Sequence, residues 1–185
     1  MQGVHDPEVE LRRSLWKGAS EIIVDTTWTA RSFQIAAGEW SKVALLLGLP
    51  ANVIGTVTAA GAGAAAIFLH TPAVTATLAL IAAVLAGVKA AMKPEDTYQG
   101  YALKGSAYLA LRNDTRHFRN VRLRLPAVPI GELESELKAL NARLNALVQQ
   151  PPLRSPSWAY NRAKRSVEAG ESDYTPDHFW EEPPF

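Results

Sequence analysis

The feature that most constrains the fold is a run without a single charged side chain, which extends from residue 43 to residue 88 between Lys42 and Lys89. A His-Thr-Pro segment at 70–72 lies in its middle. A helix needs about 20 mostly apolar residues to cross a hydrocarbon core of about 30 Å, and the segments 50–69 and 73–92 are both that long. The run therefore predicts a transmembrane hairpin over 43–92, with two helices joined by a tight turn.

The alternative is a hairpin of apolar helices buried inside a soluble domain. Helices in the core of a large protein are also hydrophobic on all sides. Here the sequence on either side of the run is charged and too polar to enclose so many apolar residues. The membrane interpretation is therefore favoured.

The positions of the basic residues predict the orientation of this hairpin. All 19 lysines and arginines lie outside 43–88, and Lys42, Lys89 and Lys93 lie at the same edge of the predicted hairpin. The positive-inside rule then places both termini in the cytoplasm. Trp40 and Tyr98 flank the same edge, as aromatic side chains at a membrane interface do.

The remaining sequence predicts cytoplasmic helices, so the expected fold class is all-α, a helical bundle built around the hairpin. Pro7 suits the first position of a helix over 7–41, with Asp6 as its cap. Lys93-Pro94 predicts a break after the hairpin. Two further helices are expected at 95–125 and 130–150.

Charge is unevenly distributed along the chain, although the net charge is only +1. Bases outnumber acids in 89–126, next to the predicted membrane segment, whereas 166–185 contains acids and no base. The prolines and acids of 166–185 predict a disordered tail. A short docking motif built on the aromatic residues of this tail is the alternative.

The clearest pattern in the soluble part is a leucine seam with alternating spacings of three and four residues. Its members are Ile130, Leu133, Leu137, Leu140, Leu144 and Leu147. The spacing is that of the a and d positions of a coiled coil. The seam is too short to be stable alone, so two interpretations stay open: packing on helices of the same chain, or oligomerisation.

Small and polar residues within the apolar run predict how its helices associate. In lipid, helices associate by close packing of small residues, which makes Gly55, Gly61 and Gly63 packing candidates and favours a homo-oligomer. Polar groups in a membrane often line a pathway or bond across helices. Asn52 and Thr56 are therefore pore-lining candidates, with a single interhelical hydrogen bond as the alternative.

A set of arginines follows the hairpin and is the main candidate for ligand binding. Its members are Arg112, Arg116, Arg119, Arg122 and Arg124, of which the first three share one helical face. The guanidinium fork suits a phosphate-bearing ligand, a nucleic acid or anionic lipid. A solvated face that obeys the positive-inside rule is the alternative.

No pattern of an enzyme is present in the sequence. The chain has no cysteine, and its four histidines are scattered over different segments, which argues against a zinc site. Hydrolase, phosphate-loop and dinucleotide motifs are absent as well. Glu132, Glu134 and Glu136 crowd a predicted helix start, where they favour the macrodipole. We expect no catalysis, no cofactor and no metal.

The order of these features resembles the SLATT-domain family, over nearly the whole chain. The similarity rests on the two adjacent apolar helices, Lys93-Pro94-Glu95, the Gly-Ser-Ala-Tyr-Leu-Ala-Leu-Arg segment at 105–112, the leucine-repeat helix, and the Pro-Ser-Trp-Ala-Tyr-Asn-Arg-Ala segment at 156–163. The resemblance implies a SLATT-like domain over 1–165. One departure is Tyr101, where the family pattern often has a histidine.

SLATT proteins are two-transmembrane effectors of bacterial anti-phage conflict systems associated with SMODS, SLOG or reverse-transcriptase proteins. The resemblance implies an inner-membrane protein that oligomerises, forms a pore or disrupts the membrane, and kills or arrests the infected cell. It implies a co-encoded sensor, either a nucleotide-generating enzyme, a SLOG protein or a reverse transcriptase, and a nucleotide or nucleic-acid trigger. Two alternatives are a membrane-tethered binding module that forms no pore and a plain structural anchor.

Overall fold

A computed structural model of the chain describes residues 6–60, 72–150 and 153–169, and this part of the protein is all-α. In chain order the elements are α1 (Pro7–Ala60), α2 (Pro72–Met92), α3 (Pro94–Asn120), a 3-10 turn (Arg122–Arg124), α4 (Ile130–Gln149) and α5 (Ser157–Glu168). No strand occurs among the described residues. The predicted all-α class is confirmed for them, and the tail 170–185 lies outside them.

Helix α1 continues through residues 41–50, where the sequence allows either a new helix that begins near Pro50 or one longer helix that contains Gly48-Leu49-Pro50. Its start is as predicted: the Asp6 carboxylate accepts a hydrogen bond from the Glu8 backbone N–H at 3.0 Å, with Pro7 at the first helical position. The Gly-Leu-Pro sequence at 48–50 lies within the helix. Proline removes one hydrogen bond from a helix interior, and the surrounding alanines and leucines, good helix formers, continue the helix past it.

The predicted break at Lys93-Pro94 is confirmed. Lys93 has a φ of 43°, in the left-handed region that side chains rarely occupy, and α3 starts at Pro94. Proline disfavours helical geometry in the residue before it. The Lys93 N–H still bonds to the Lys89 carbonyl at 3.0 Å, so α2 ends and α3 begins without an intervening loop.

The chain divides into two compact units. The first comprises Met1–Ala36 and Tyr101–Phe185, and the second comprises Ala37–Gly100. The second unit therefore begins and ends close to the limits predicted for the hairpin at 43 and 92. Helices α1 and α3 each contribute to both units.

The core of the first unit is formed by α1, α3, the 121–129 segment and α4. Its buried cluster consists of Leu15, Trp16, Ala19, Ile22, Leu111, Phe118, Leu123, Val128, Leu133 and Leu140. α1 and α3 approach closely at Gly105, where an added Cβ would lie 3.3 Å from the Cβ of Phe33. α1 and α4 approach at Gly18, where an added Cβ would lie 3.3 Å from a methyl of Leu137. Glycine permits both contacts because it has no side chain.

The leucine seam packs inside its own chain. Leu133 and Leu140 are buried in the core cluster, and Leu137, Leu144 and Leu147 pack against it. Ile130 is half-buried at the start of α4. The intramolecular alternative therefore accounts for the seam, and the seam does not present a free face for oligomerisation.

Several large apolar side chains in the described part of the second unit are exposed. On α1 these are Leu45, Leu46 and Leu49, and on α2 they are Leu80, Ile81, Val84, Val88 and Met92. Within the described ranges, none of the helices combines the length and the apolar character needed to traverse a bilayer.

Candidate functional site

The predicted arginine set is divided between the interior and the surface of the first unit. Arg112 and Arg119 are only 2% and 5% exposed. Arg116 and Arg122 are half-buried, and Arg124 is exposed. The three arginines expected on one open helical face therefore do not present that face to a ligand, because α3 turns part of it towards the core.

Two members of the set contact one tryptophan of α1. The guanidinium carbons of Arg119 and Arg124 lie 5.1 and 5.7 Å from the centroid of a Trp16 ring. Cations at this distance from an indole face are attracted by its quadrupole. Arg119 also donates a hydrogen bond to the Ser20 hydroxyl at 3.4 Å. These contacts tie the end of α3 to the first turns of α1.

Arg122 is occupied by carboxylates of α4. Its Nε donates to Glu136 at 3.1 Å, and its Nη2 donates to Glu132. The hydrogen bonds from Glu136 and Glu132 raise the pKa of Arg122 above its ordinary value. These two acids were expected to favour the α4 macrodipole, and the structure adds that they bind an arginine. A phosphate ligand would have to displace both of them.

Arg12 is a key residue that sequence reasoning missed. Its buried guanidinium donates to the carbonyls of Leu123, Leu125 and Val128 at 3.0, 3.2 and 2.9 Å. It also bonds to Glu8 one turn earlier, at 3.1 Å. The Glu8–Arg12 spacing of four residues was visible in the sequence, but the three carbonyl acceptors were not.

Together these side chains form an arginine corner, by which we mean Arg12, Arg119, Arg122 and Arg124 around the 121–129 segment. Each of the four has a partner within the first unit: carbonyls, a hydroxyl, carboxylates or Trp16. The arrangement fixes the connection between α3 and α4, and its chemistry is that of a structural clasp.

A second cluster joins a lysine to three aromatic rings. Phe33 stacks on Tyr108 with centroids 5.7 Å apart and lies 5.9 Å from Tyr101. Lys104 Nζ lies 5.7 Å from the Phe33 centroid and donates to the carbonyls of Gln150 and Leu153 at 2.8 and 2.9 Å. Lys104 thus satisfies the carbonyl of Gln150, the residue that caps α4, and that of Leu153 farther along the chain.

Burial shifts the pKa values of this cluster in the directions expected for lost hydration. Desolvation lowers the pKa of Lys104 and raises those of Tyr101 and Tyr108. The Tyr101 hydroxyl lies 3.5 Å from the Arg154 carbonyl. Tyr101 is therefore a buried structural residue.

The exposed apolar side chains of the second unit form the other candidate site. We call the residues 45, 46, 49, 80, 81, 84, 88 and 92 the apolar hairpin surface. On α2, Ile81, Val84 and Val88 follow one another at the three- and four-residue spacings of one helical face. Lys89 pairs with Glu95 at 2.8 Å, and an added Cβ on Gly48 would lie 3.5 Å from Lys89 Nζ. A charged residue thus lies at the end of α2, and the exposed face formed by Ile81, Val84 and Val88 has none.

The candidate pore and packing residues are placed only in part. Asn52, Gly55 and Thr56 lie in the last turns of α1, and their roles stay predictions. Gly61 and Gly63 lie outside the described residues. Among the residues that the structure describes, no group of three His, Asp or Glu side chains is arranged to hold a metal ion.

Comparison with known proteins returned no match: no protein-family model, no curated protein and no solved structure is similar to this chain.

Proposed function

We propose that this chain is the membrane effector of a bacterial anti-phage defence system. In this proposal the second unit enters the inner membrane and assembles with further copies, and the first unit receives the trigger from the cytoplasm. The assembled hairpins form a pore or disrupt the membrane, which kills or arrests the cell. The apolar hairpin surface is the observation that carries the proposal.

Exposing apolar side chains to water costs free energy. Fully burying one Leu, Val, Ile or Met side chain contributes about 1.5–3 kcal/mol relative to leaving it in water. Leu46 is 69% exposed and Leu80 is 66% exposed. A helix face with several such residues needs a covering partner. Lipid and further copies of the same hairpin both supply one, and the charge-free run from 43 to 88 suits both.

The role of the first unit follows from its closed interior. Its seam, its arginine corner and its lysine cluster are all used in internal contacts. We therefore assign the first unit the role of a rigid cytoplasmic body that a co-encoded sensor, a nucleotide or a nucleic acid engages from outside. The sensor and the trigger enter this proposal through the SLATT resemblance alone.

Induced expression in bacteria tests the proposal, with membrane potential and dye entry as readouts. The wild-type chain is compared with Val84→Glu, which places a charge on the apolar hairpin surface. A charged side chain near the centre of a membrane helix costs about 2.5–3.5 kcal/mol on insertion scales. The matched control is Leu103→Glu on α3 of the first unit, where the leucine is 73% exposed.

We expect depolarisation by the wild type and by Leu103→Glu, and none by Val84→Glu. Depolarisation by Val84→Glu at the wild-type level would contradict the proposal. If the wild type reaches the membrane but depolarises it only when the adjacent genes are co-expressed, the trigger comes from their products. No depolarisation even then would favour the tethered binding module.

A further inference from the structure

Helix α5 has one face that packs on the first unit and another that faces outwards. Ala159 and Ala163 are completely buried, and Ser166 is buried one turn later. The outward side carries two large aromatic residues, Trp158 at 46% exposure and Tyr160 at 39%. Tyrosine and tryptophan are enriched at interfaces, where the ring is covered and its polar end stays wet, so these two rings are candidates for contact with a partner.

The outward side of α5 is also strongly basic. The described segment 153–169 contains Arg154, Arg162, Lys164 and Arg165, and Glu168 is its only acid. Lys164 lies 3.9 Å from Glu168, with both side chains at least half exposed. Such a pair contributes little. The segment therefore presents positive charge beside its two aromatic rings.

The segment that leads into α5 contacts the first-unit part of α3. The Tyr101 hydroxyl is 3.5 Å from the Arg154 carbonyl, and both residues belong to the first unit. The start of α5 is therefore held by a contact within the first unit.

We propose that the outward face of α5 docks on the anionic phospholipid headgroups of the cytoplasmic leaflet. Tryptophan and tyrosine favour the headgroup level, where the ring is covered and its polar end stays wet. Lysine and arginine are attracted by the negative potential of that leaflet. α5 combines exposed basic and aromatic residues, which is the composition of an interfacial helix. The inference rests on the proposed function for the nearness of the bilayer, but not for the charge and exposure of α5.

Single-stranded nucleic acid is the competing partner, since it too binds basic and aromatic residues. Proteins that bind it combine a positively charged groove with aromatic stacking platforms. α5 offers the convex face of one helix, which suits a flat surface better than a strand. Nucleic acid is therefore an outcome of the test and not the proposal.

The absence of cysteine allows a clean labelling experiment on the full chain. Asn161→Cys, on the exposed side of α5, carries a polarity-sensitive fluorophore. The labelled chain is added to vesicles of phosphatidylcholine alone or of phosphatidylcholine with phosphatidylglycerol. We expect the emission of the label to shift to the blue only with phosphatidylglycerol. High salt should reverse the shift, since it screens charges at the membrane surface.

Charge variants identify the side chains responsible. Lys164→Gln with Arg165→Gln should lower the docking equilibrium constant about 30-fold, from the contribution of two basic residues near an anionic surface. Lys17→Gln with Lys138→Gln is the matched control, because it removes the same charge from exposed positions on α1 and α4. This control should leave the shift unchanged.

A label that does not respond to phosphatidylglycerol would overturn the inference, as would equal losses in the two double variants. It would also be overturned if Lys164→Gln with Arg165→Gln left the shift intact but weakened binding of a single-stranded oligonucleotide. Flotation with phosphatidylcholine vesicles reports insertion of the second unit separately. A chain that does not float with them, yet shows the phosphatidylglycerol-dependent shift, would refute the proposed function and retain the docking of α5.

Discussion

Leucines in the two units of this chain have opposite surroundings. Leu133 in the first unit is completely buried, whereas Leu46 in the second unit leaves 69% of its surface open. Both lie on regular helices of similar apolar content. The difference is that the first unit has several helices to cover each apolar stripe, while the described part of the second unit does not cover its own.

Charged groups differ between the units in the same way. The first unit buries Arg12 and surrounds its guanidinium with carbonyl oxygens. The second unit keeps its charges in surface pairs near its ends, Lys42 with Glu39 and Lys89 with Glu95. The first unit is therefore a self-sufficient core, and the second depends on its environment for the burial of its apolar residues.

The largest effect is expected from replacing two glycines of the apolar run, which tests whether the second unit needs a helical partner. Gly61→Leu together with Gly63→Leu places bulky side chains where close helix packing is predicted. We expect loss of the oligomer and of toxicity, while unfolding of the first unit stays unchanged. The oligomer is measured by size-exclusion chromatography with light scattering in mild detergent. Unchanged oligomer size and toxicity would contradict the packing role of these glycines.

The next prediction compares two leucines directly. Leu133→Ala should lower the free energy of unfolding by about 3–4 kcal/mol, because it leaves a cavity in a closed core. Leu46→Ala should change it by less than about 0.5 kcal/mol, since the side chain is already exposed. The measurement is denaturant unfolding in mild detergent, followed by near-UV circular dichroism. Equal losses would mean that the second unit has a core of its own.

A change in the arginine corner is expected to lower the free energy of unfolding by slightly less. Arg12→Met retains the aliphatic volume but removes the hydrogen bonds to Leu123, Leu125 and Val128. We expect a loss of about 3 kcal/mol in the same unfolding measurement, because bonds to a charged donor are strong and the carbonyls lose their partner. Arg13→Met is the control. Its pair with Glu10 is half exposed, so a loss of less than about 1 kcal/mol is expected.

A result in which both arginine variants unfold alike would show that the carbonyl contacts of Arg12 contribute nothing measurable. It would also remove the distinction between a buried arginine of the first unit and the surface ion pairs of the second unit.

Several helix boundaries were predictable from the sequence because their chemistry is local. Asp6 with Pro7 starts α1, Pro94 follows the end of α2, and Pro129 precedes α4, whereas helix α5 behind Pro156 was not predicted. Each of these signals depends on the dihedral limits of one residue or on one capping bond. The leucine seam was predictable as an amphipathic helix for the same reason, but its partner was not.

The contacts of the arginines were not predictable from the sequence, because they involve backbone carbonyls that are distant along the chain. Arg12 bonds to a carbonyl at Leu123, which is 111 residues away in sequence. Helical spacing correctly placed Arg112 and Arg119 near one face of α3, but it carries no information on what covers that face. The sequence therefore left open whether these arginines bind phosphate. Because Arg112 and Arg119 are buried, only Arg116, Arg122 and Arg124 remain candidates for phosphate binding.

The smallest predicted effect concerns a carboxylate at the margin of the first unit. Desolvation, and then repulsion from Glu21 one turn earlier, raises the pKa of Asp25 above its ordinary value of 3.8. A raised folded-state pKa means that ionisation opposes folding, so stability is lost as the pH rises through that pKa. Asp25→Asn removes this loss. It should stabilise the chain at neutral pH by well under about 1 kcal/mol, because the carboxylate is largely in water.

The pH dependence of the stability change in Asp25→Asn distinguishes desolvation of Asp25 from a general effect of removing surface charge. The advantage of Asp25→Asn should disappear below the ordinary pKa of 3.8, where both the folded and the unfolded chain hold the proton. Asp114→Asn is the matched control. It breaks the exposed pair with Arg143, which has an N–O distance of 2.7 Å, and should be neutral or slightly destabilising at neutral pH. If both variants stabilise the chain equally, desolvation of Asp25 is not the cause of the stabilisation. The first unit would then tolerate charge at its margin as readily as the second.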